Sequence, residues 1–434
     1  MAKKGFFTSS QLRTKKQKST SSIPKCGKCK LYKHCINPKM PPTGKGIEKI
    51  LYIAEAPGAR EDRKNEQLIG SSGQYLRRVS KRAGHSIDNG RKTNACICRP
   101  KDNKKPTDDQ IQCCFPNLKK EIDSFKPNVI VLLGGTALKS LLKHKFHGDV
   151  DSINKWRGFV IPDREYNAWI CPVFHPSYID RDTTPKVAEK IFEDDLKCAF
   201  AMIDVPLPTV KNEQDCVEII KHPKEAITFI KEILKKKRSL TAFDYETSGL
   251  KPHDKRHKIK SCAICDDIDH AVAFPMFSDD KFIECFREYL RAPYAKKICA
   301  NMKFERDWSY QKLGPVKGFF FDTMIGGHIL DNRSGITSLT IQGYMNLGID
   351  PYDEHIKPFL QSKKGGGNDF NRIDDIDMYD LLIYNGIDTL GEFKLALVQM
   401  DRFGIKYNHL YDKTTGHDLA PQYKIAEKVL RRKR

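Results

Sequence analysis

At 434 residues the chain is long enough for two or three domains, each with its own core. A net charge of +21 favours an acidic polymer as partner, nucleic acid first, over a neutral or basic one. No run of about 18 apolar residues and no secretory-type leader are present, so no membrane span is expected and the fourteen cysteines read as metal ligands or core thiols rather than a disulfide framework.

Residues 1–22 read as a disordered basic tail: polar, Ser/Thr-rich, and part of an opening stretch of 47 residues with twelve Lys or Arg and no Asp or Glu. From 23 to 204 short apolar runs alternate with helical patterns. KILYIAEAP, NVIVLLGG and AWICPVFHPS each hold a buried strand, and TALKSLLKH follows the second as a helix. This alternation indicates an α/β domain with a parallel sheet. The Pro-containing polar stretch 205–214 reads as a linker. PKEAITFIKEILKKKR then has the period of an amphipathic helix, with Ile227, Ile230, Ile233 and Leu234 on one side. Strands follow in TAFDYETSGL, KIKSCAICD and AVAFPMF, in the manner of a meander. The rest of a second domain, to about 411, is mostly helical and interrupted by SKKGGGND. Residues 412–434 form a basic C-terminal segment.

The first half carries Cys26, Cys29 and Cys35 in CGKCKLYKHC, then Cys96 and Cys98, then Cys113 and Cys114. A Cys-x-x-Cys pair joined to a second, distant pair makes a four-cysteine site, and its spacing does not separate zinc from an iron–sulfur cluster. Cys262 and Cys265 share the spacing but lie in a strand pattern and read as core thiols. Trp156, ahead of Arg157 and Gly158, is either a DNA contact or a buried ring.

Four ordered stretches, LYIAEAPGAREDRKNEQLIGSSGQYL, TNACICRP, DQIQCCFPNL and FHPS, resemble the motifs of the iron–sulfur (family four) uracil-DNA glycosylases over about 23–204. The resemblance implies a three-layer α/β/α domain with a central parallel sheet. It implies a [4Fe-4S] cluster, with zinc as alternative, held by Cys26, Cys29, Cys98 and Cys114, with Cys35 and Cys113 as adjacent substitutes. It further implies that a uracil flipped out of the DNA is read by Asn94, whose amide offers both donor and acceptor. His175 stabilises the charge on the departing base. Glu55 is the first choice, and Glu61 the second, for a carboxylate that supports the sugar cation and positions water. GSSG, with Ser71, opens a helix whose N–H groups suit a DNA phosphate. The chain departs from the family at Ala54, at Asn65, and at Gln67-Leu68-Ile69 in place of Pro-Phe-Val. Leu68 packs on the base without aromatic stacking, a loss of roughly 1–3 kcal/mol per base.

In the second half Asp244 and Glu246 lie two apart on a strand and so point to one face. Their repulsion is relieved by shared divalent cations, two Mg²⁺ or Mn²⁺, which can clamp the attacking and leaving oxygens of a phosphodiester. With ICANMKFERDW and LLIYNGIDTLGEF, the pair resembles the 3′–5′ proofreading exonuclease domain of family A DNA polymerases, an RNase H-like (DnaQ-like) mixed-sheet fold, over about 215–411. FDTMIGGHIL, with Asp322, resembles the segment that follows. The resemblance implies that Asp244, Glu246 and Asp388 hold the metals, that Tyr384 orients the attacking water, and that Asn301 meets substrate. Glu305 stands where the family has Asp, with Asp307 as a nearby alternative.

The two resemblances together describe a fusion like part of certain bacteriophage DNA polymerases, acting on single-stranded or uracil-containing DNA. The expectation is that the chain works beside a separate polymerase subunit or is itself one part of a split polymerase, in the cytoplasm, the host's for a phage protein. Leu68 motivates a second reading, an exonuclease whose glycosylase-like domain binds DNA without cutting. A third is a replication-accessory protein with no catalysis.

Overall fold

The computed structural model describes residues 24–407 apart from 147–149, 151, 182–184, 237–238 and 363–368. The basic tail, the C-terminal segment and the glycine run of SKKGGGND lie outside the described residues. These fall into two compact units, 24–208 with 344–350, and 209–343 with 351–407.

The first unit is built on strands β1 (Ile50–Ala54), β2 (Arg91–Asn94), β3 (Val129–Leu133), β4 (Ile161–Asp163) and β5 (Ala168–Val173), in the order β2-β1-β3-β5-β4. All neighbours are parallel except β4, which runs antiparallel to β5. Every residue of β1, β3 and β5 is buried, as expected of a sheet covered on both faces. Ile50, Tyr52, Val129, Val131 and Trp169 meet Phe192 and Leu196 of the helix Lys186–Phe200 in one core. The antiparallel β4 departs from the expected parallel sheet. Ile-Pro-Asp is too short and too polar to read as a strand, and its proline is tolerated because the strand is an edge.

The second unit has six strands: β6 (Val217–Ile219), β7 (Ser239–Thr247), β8 (Ile259–Asp267), β9 (His270–Pro275), β10 (Ala295–Cys299) and β11 (Phe319–Asp322), ordered β11-β10-β7-β8-β9-β6. The expected meander is present as antiparallel β7-β8-β9, flanked by parallel pairings of β10 with β7, β11 with β10, and β6 with β9. Alternation along β7 sends Phe243 and Tyr245 into a core with Ile230, Phe282 and Phe286. Leu240 and Ala242 face a second core with Leu390, Phe393 and Leu397 of the helix Met378–Phe403. That helix is buried nearly all round. Cys262 and Cys265 are core thiols, and Trp156 of the first unit is fully buried. Among the described residues no helix is long and apolar enough to cross a membrane.

Candidate active sites

Period-two alternation puts Asp244 and Glu246 on the face of β7 that meets the helix Met378–Phe403, where a solvated Asp or Glu has no place without partners. Opposite them on β8 stand the small residues Ala263 and Ser261. The helix answers with Asn385, which donates from Nδ2 to the Asp244 carboxylate at 2.7 Å and accepts from Ser261 Oγ at 3.1 Å. One turn along comes Asp388. The ligand oxygens of Asp244, Glu246 and Asp388 all lie within 4.8 Å of one another.

Tyr384, one turn before Asp388, is hydrogen-bonded to it. The Tyr352 hydroxyl also donates to Asp388, with ring centroids of the two tyrosines 6.0 Å apart. Glu305, on the helix Met302–Lys312, is 1% exposed and close enough for the Asp244 charge to raise its pKa. Asp307 instead pairs with Arg306 at 2.8 Å near the surface, so Glu305 is the acid this segment sends inward. Asn301 sits exposed just before that helix in left-handed backbone, φ 64°, its side chain not used as a cap. Asp322 fixes the segment from outside. Its carboxylate accepts from the backbone N–H of Met302 at 2.7 Å, and from Met324 and Ile325 at 2.9 and 3.0 Å.

A fifth carboxyl was not anticipated. Glu392 lies one turn beyond Asp388, 1% exposed, with Oε1 accepting from Ala300 N–H at 3.1 Å. Oε2 of Glu392 and Oε2 of Glu305 have no hydrogen-bond partner among the described residues. Burial, then mutual charge, pushes Asp244, Glu246, Glu305 and Glu392 well above the usual carboxylate range, and burial pushes Asp388 up to about 7. Buried acids with unpartnered oxygens fit hard divalent cations, which supply the opposite charge that the protein does not.

In the first unit, the candidate residues follow the C-terminal ends of parallel strands, where crevices form in α/β sheets. Glu55 follows β1 and accepts from Thr136 Oγ1 at 2.5 Å. His175 follows β5, beside Glu55, and burial lowers its pKa despite that neighbouring charge. The backbone N–H of Ser177 donates to His175 Nδ1 at 3.2 Å. A nitrogen that accepts carries no proton, so the neutral ring keeps its hydrogen on Nε2. Gly134, at φ 88°, lets this happen: a Cβ there would lie 2.8 Å from the His175 Cβ.

Asn94 ends β2, 3% exposed, and donates from Nδ2 to Gln67 Oε1. Leu68 has left-handed backbone, φ 55°, and is buried with Tyr75 and Leu76. Glu61 Oε1 accepts from the Gly70 N–H at 2.6 Å, so this carboxylate holds the turn ahead of the helix Ser71–Arg82. Ser71 is exposed in the first turn of that helix, whose start has no side-chain cap.

Cys26, Cys29, Cys98, Cys113 and Cys114 line one small cavity together with Lys39 and Asn117. Cys35 is not in that lining but shares a hydrogen bond with Cys98. Backbone N–H groups of Lys39 and Ile97 donate to the sulfurs of Cys98 and Cys114 at 3.2 and 3.4 Å. A hydrogen bond from Cys96 pulls the Cys114 thiol down to about 7. Convergent sulfurs that already accept N–H bonds fit a thiolate-bound metal group.

Residues 41–196 match the family profile of the uracil DNA glycosylase superfamily, and residues 217–350 match that of the 3′-5′ exonuclease domain of DNA polymerase A type. A type-4 uracil-DNA glycosylase of Saccharolobus solfataricus is 32% identical over 188 residues, which cover 43% of this chain and 85% of that protein. The chain belongs to the type-4 uracil-DNA glycosylase family. Another type-4 glycosylase, from Archaeoglobus fulgidus, is 29% identical and covered over 93% of its length. The glycosylase match ends at residue 196 and the exonuclease match begins at residue 217. A DNA polymerase of Bacillus phage SP01 is similar across both, 24% identical over 404 residues, or 83% of this chain, but the chain spans only 41% of that polymerase.

Proposed function

We propose that the chain removes uracil from DNA with its first unit and trims DNA from the 3′ end with its second. Supporting the first reaction is the pairing of Glu55 with a His175 whose hydrogen is held on Nε2. In it the C1′–N1 bond of a flipped deoxyuridine breaks and the electron pair leaves with the base. Nε2–H of His175 donates to the oxygen on which that charge collects. Glu55, oriented by Thr136, faces the sugar cation and directs water to C1′; the water's oxygen joins the sugar and keeps one proton as the new hydroxyl, and the other proton passes by way of the carboxylate to the departing base. Asn94 reads the base edge. Cys26, Cys29, Cys98 and Cys114 would hold a [4Fe-4S] cluster, whose contribution when bound is to tie the segment around Cys26 to the sheet.

Supporting the second reaction is the convergence of Asp244, Glu246 and Asp388 within 4.8 Å. These residues would hold two Mg²⁺ or Mn²⁺, with Glu305 contributing beside Asp244; such ions supply charge stabilisation for the phosphodiester and the attacking water. Tyr384 orients the water through its link to Asp388. Water adds to phosphorus, the bond to the 3′ oxygen breaks, and a nucleotide leaves. Domain limits of 23–204 and 215–411, and a role as part or partner of a phage-type DNA polymerase in a cytoplasm, complete the reading.

A uracil-containing oligonucleotide treated with protein and then alkali tests the first reaction: strand breaks at uracil are expected, and an intact strand refutes it. Mg²⁺-dependent degradation of single-stranded DNA tests the second. Asp244→Ala is expected to abolish it, and equal degradation by both proteins removes the assignment.

A further inference from the structure

We propose that Gln67 is a positioning residue that fixes the amide of Asn94 in one orientation, so that the pocket accepts uracil and rejects cytosine. This rests on the glycosylase reading above. The carbonyl of Pro41 can only accept. Gln67 Nε2 donates to it at 3.1 Å, so Gln67 Oε1 must face the other way. There it meets Asn94, which must therefore present Nδ2. Both side chains are buried, Gln67 at 0% and Asn94 at 3% exposure, so water cannot substitute for either link.

The carbonyl that sets this chain of bonds is itself pinned. Met40 N–H donates to Ile97 O at 2.9 Å, and Thr43 exchanges backbone bonds with Lys92 at 3.0 and 2.8 Å, so the 40–43 segment is tied down on both sides of Asn94. Thr43 Oγ1 also accepts from the Gln67 N–H at 3.3 Å. Turning the Asn94 amide over would set Oδ1 against Gln67 Oε1. Turning both amides would set Gln67 Oε1 against the Pro41 carbonyl. Either way two acceptors face each other in a dry site.

What the Gln67 bond leaves over on Asn94 is the second hydrogen of Nδ2 and the acceptor Oδ1. Uracil offers a carbonyl O4 and an N3–H, which match a donor beside an acceptor in that order. Cytosine offers an N4 amino group and a bare N3, the reverse order, and needs the overturned amide. Thymine has uracil's pattern, so this device does not address it.

The test is single-turnover excision by the full chain on single-stranded oligonucleotides carrying U or C, in EDTA to silence the nuclease, with thermal melting as the fold control. Gln67→Met is expected to slow uracil excision roughly ten- to a hundredfold, the effect of losing one buried hydrogen bond, and to shrink the preference for U over C. In Gln67→Glu the protonated carboxyl can donate to Pro41 and accept from Asn94, so activity is expected to recover towards wild type as pH falls. Gln67→Met with unchanged melting, rate and preference overturns the proposal. Should Gln67→Met fail to fold, a Gln67→Glu variant with a pH profile parallel to wild type overturns it. Should the wild type not excise uracil, the glycosylase reading fails; the lock is then decided by equilibrium binding of the U and C oligonucleotides, where an equal U:C affinity ratio in wild type and variant overturns it.

Discussion

Glu392 shows how a single buried oxygen can matter. It bonds the Ala300 N–H, at the turn leading into the helix that carries Glu305, and leaves its second oxygen unpaired near Asp244 and Asp388. Glu392→Gln keeps the Ala300 bond but removes a charge from the cation site. It is expected to weaken Mg²⁺ or Mn²⁺ affinity, or nuclease activity, by about 10–100-fold, measured by metal titration of the nuclease rate. Asp244, Glu246, Tyr384 and Asp388 were legible in the sequence because fixed spacings on one strand and one helix place them. Glu392, Asn385 and Tyr352 were not. The first two sit in a helix buried nearly all round, where no polar stripe marks the functional side, and Tyr352 arrives from a segment without regular structure. The cue for Glu392 was an acid one turn after Asp388, on the same side of the helix. In the first half, Gln67 stood in a quoted motif as a mere departure, since an amide-to-amide bond across 27 residues leaves no pattern in a sequence.

At the level of elements, long apolar strands were readable and short charged ones were not. β1, β3 and β5 are continuous apolar runs, whereas β2 is Arg-Lys-Thr-Asn with a Lys92 only 2% exposed. That lysine is buried because Asp88 pairs with it, a contact invisible to periodicity. Asp322 joins elements in a way that composition also hides, since one carboxylate serves the first turns of two helices. Asp322→Ala is expected to cost about 1–3 kcal/mol, measured by urea denaturation, because N-caps contribute about 1 kcal/mol each. It should also lower the nuclease rate, since the helix carrying Glu305 loses its anchor. The cysteine-lined cavity predicts a spectroscopic outcome at the same scale. Freshly purified protein is expected to absorb near 400 nm (approximate for thiolate-bound clusters), and Cys98→Ala to bleach it.

For the molecule as a whole, the crowded acids set a pH dependence of unusual sign. Asp388 is pushed up to about 7, so between its ordinary value and that one the folded state holds a proton the unfolded chain has released. Without divalent ions, stability should therefore fall as pH rises towards 7, and Mg²⁺ or Mn²⁺ should restore it. Melting temperatures in EDTA at acidic and neutral pH check this, and Asp388→Asn should flatten the difference. The charge of +21 carries a second expectation. DNA affinity should drop by roughly a thousandfold or more between 50 and 200 mM salt if about six phosphates are contacted, read by fluorescence anisotropy. The helix Met378–Phe403 has a last consequence. It bears Tyr384, Asn385, Asp388 and Glu392, and it also plugs the sheet with Leu390, Phe393 and Leu397. A protease trimming the chain back through this rod would blunt the scissors and collapse the handle in one stroke, so no sturdy, disarmed remnant of that unit should survive such digestion.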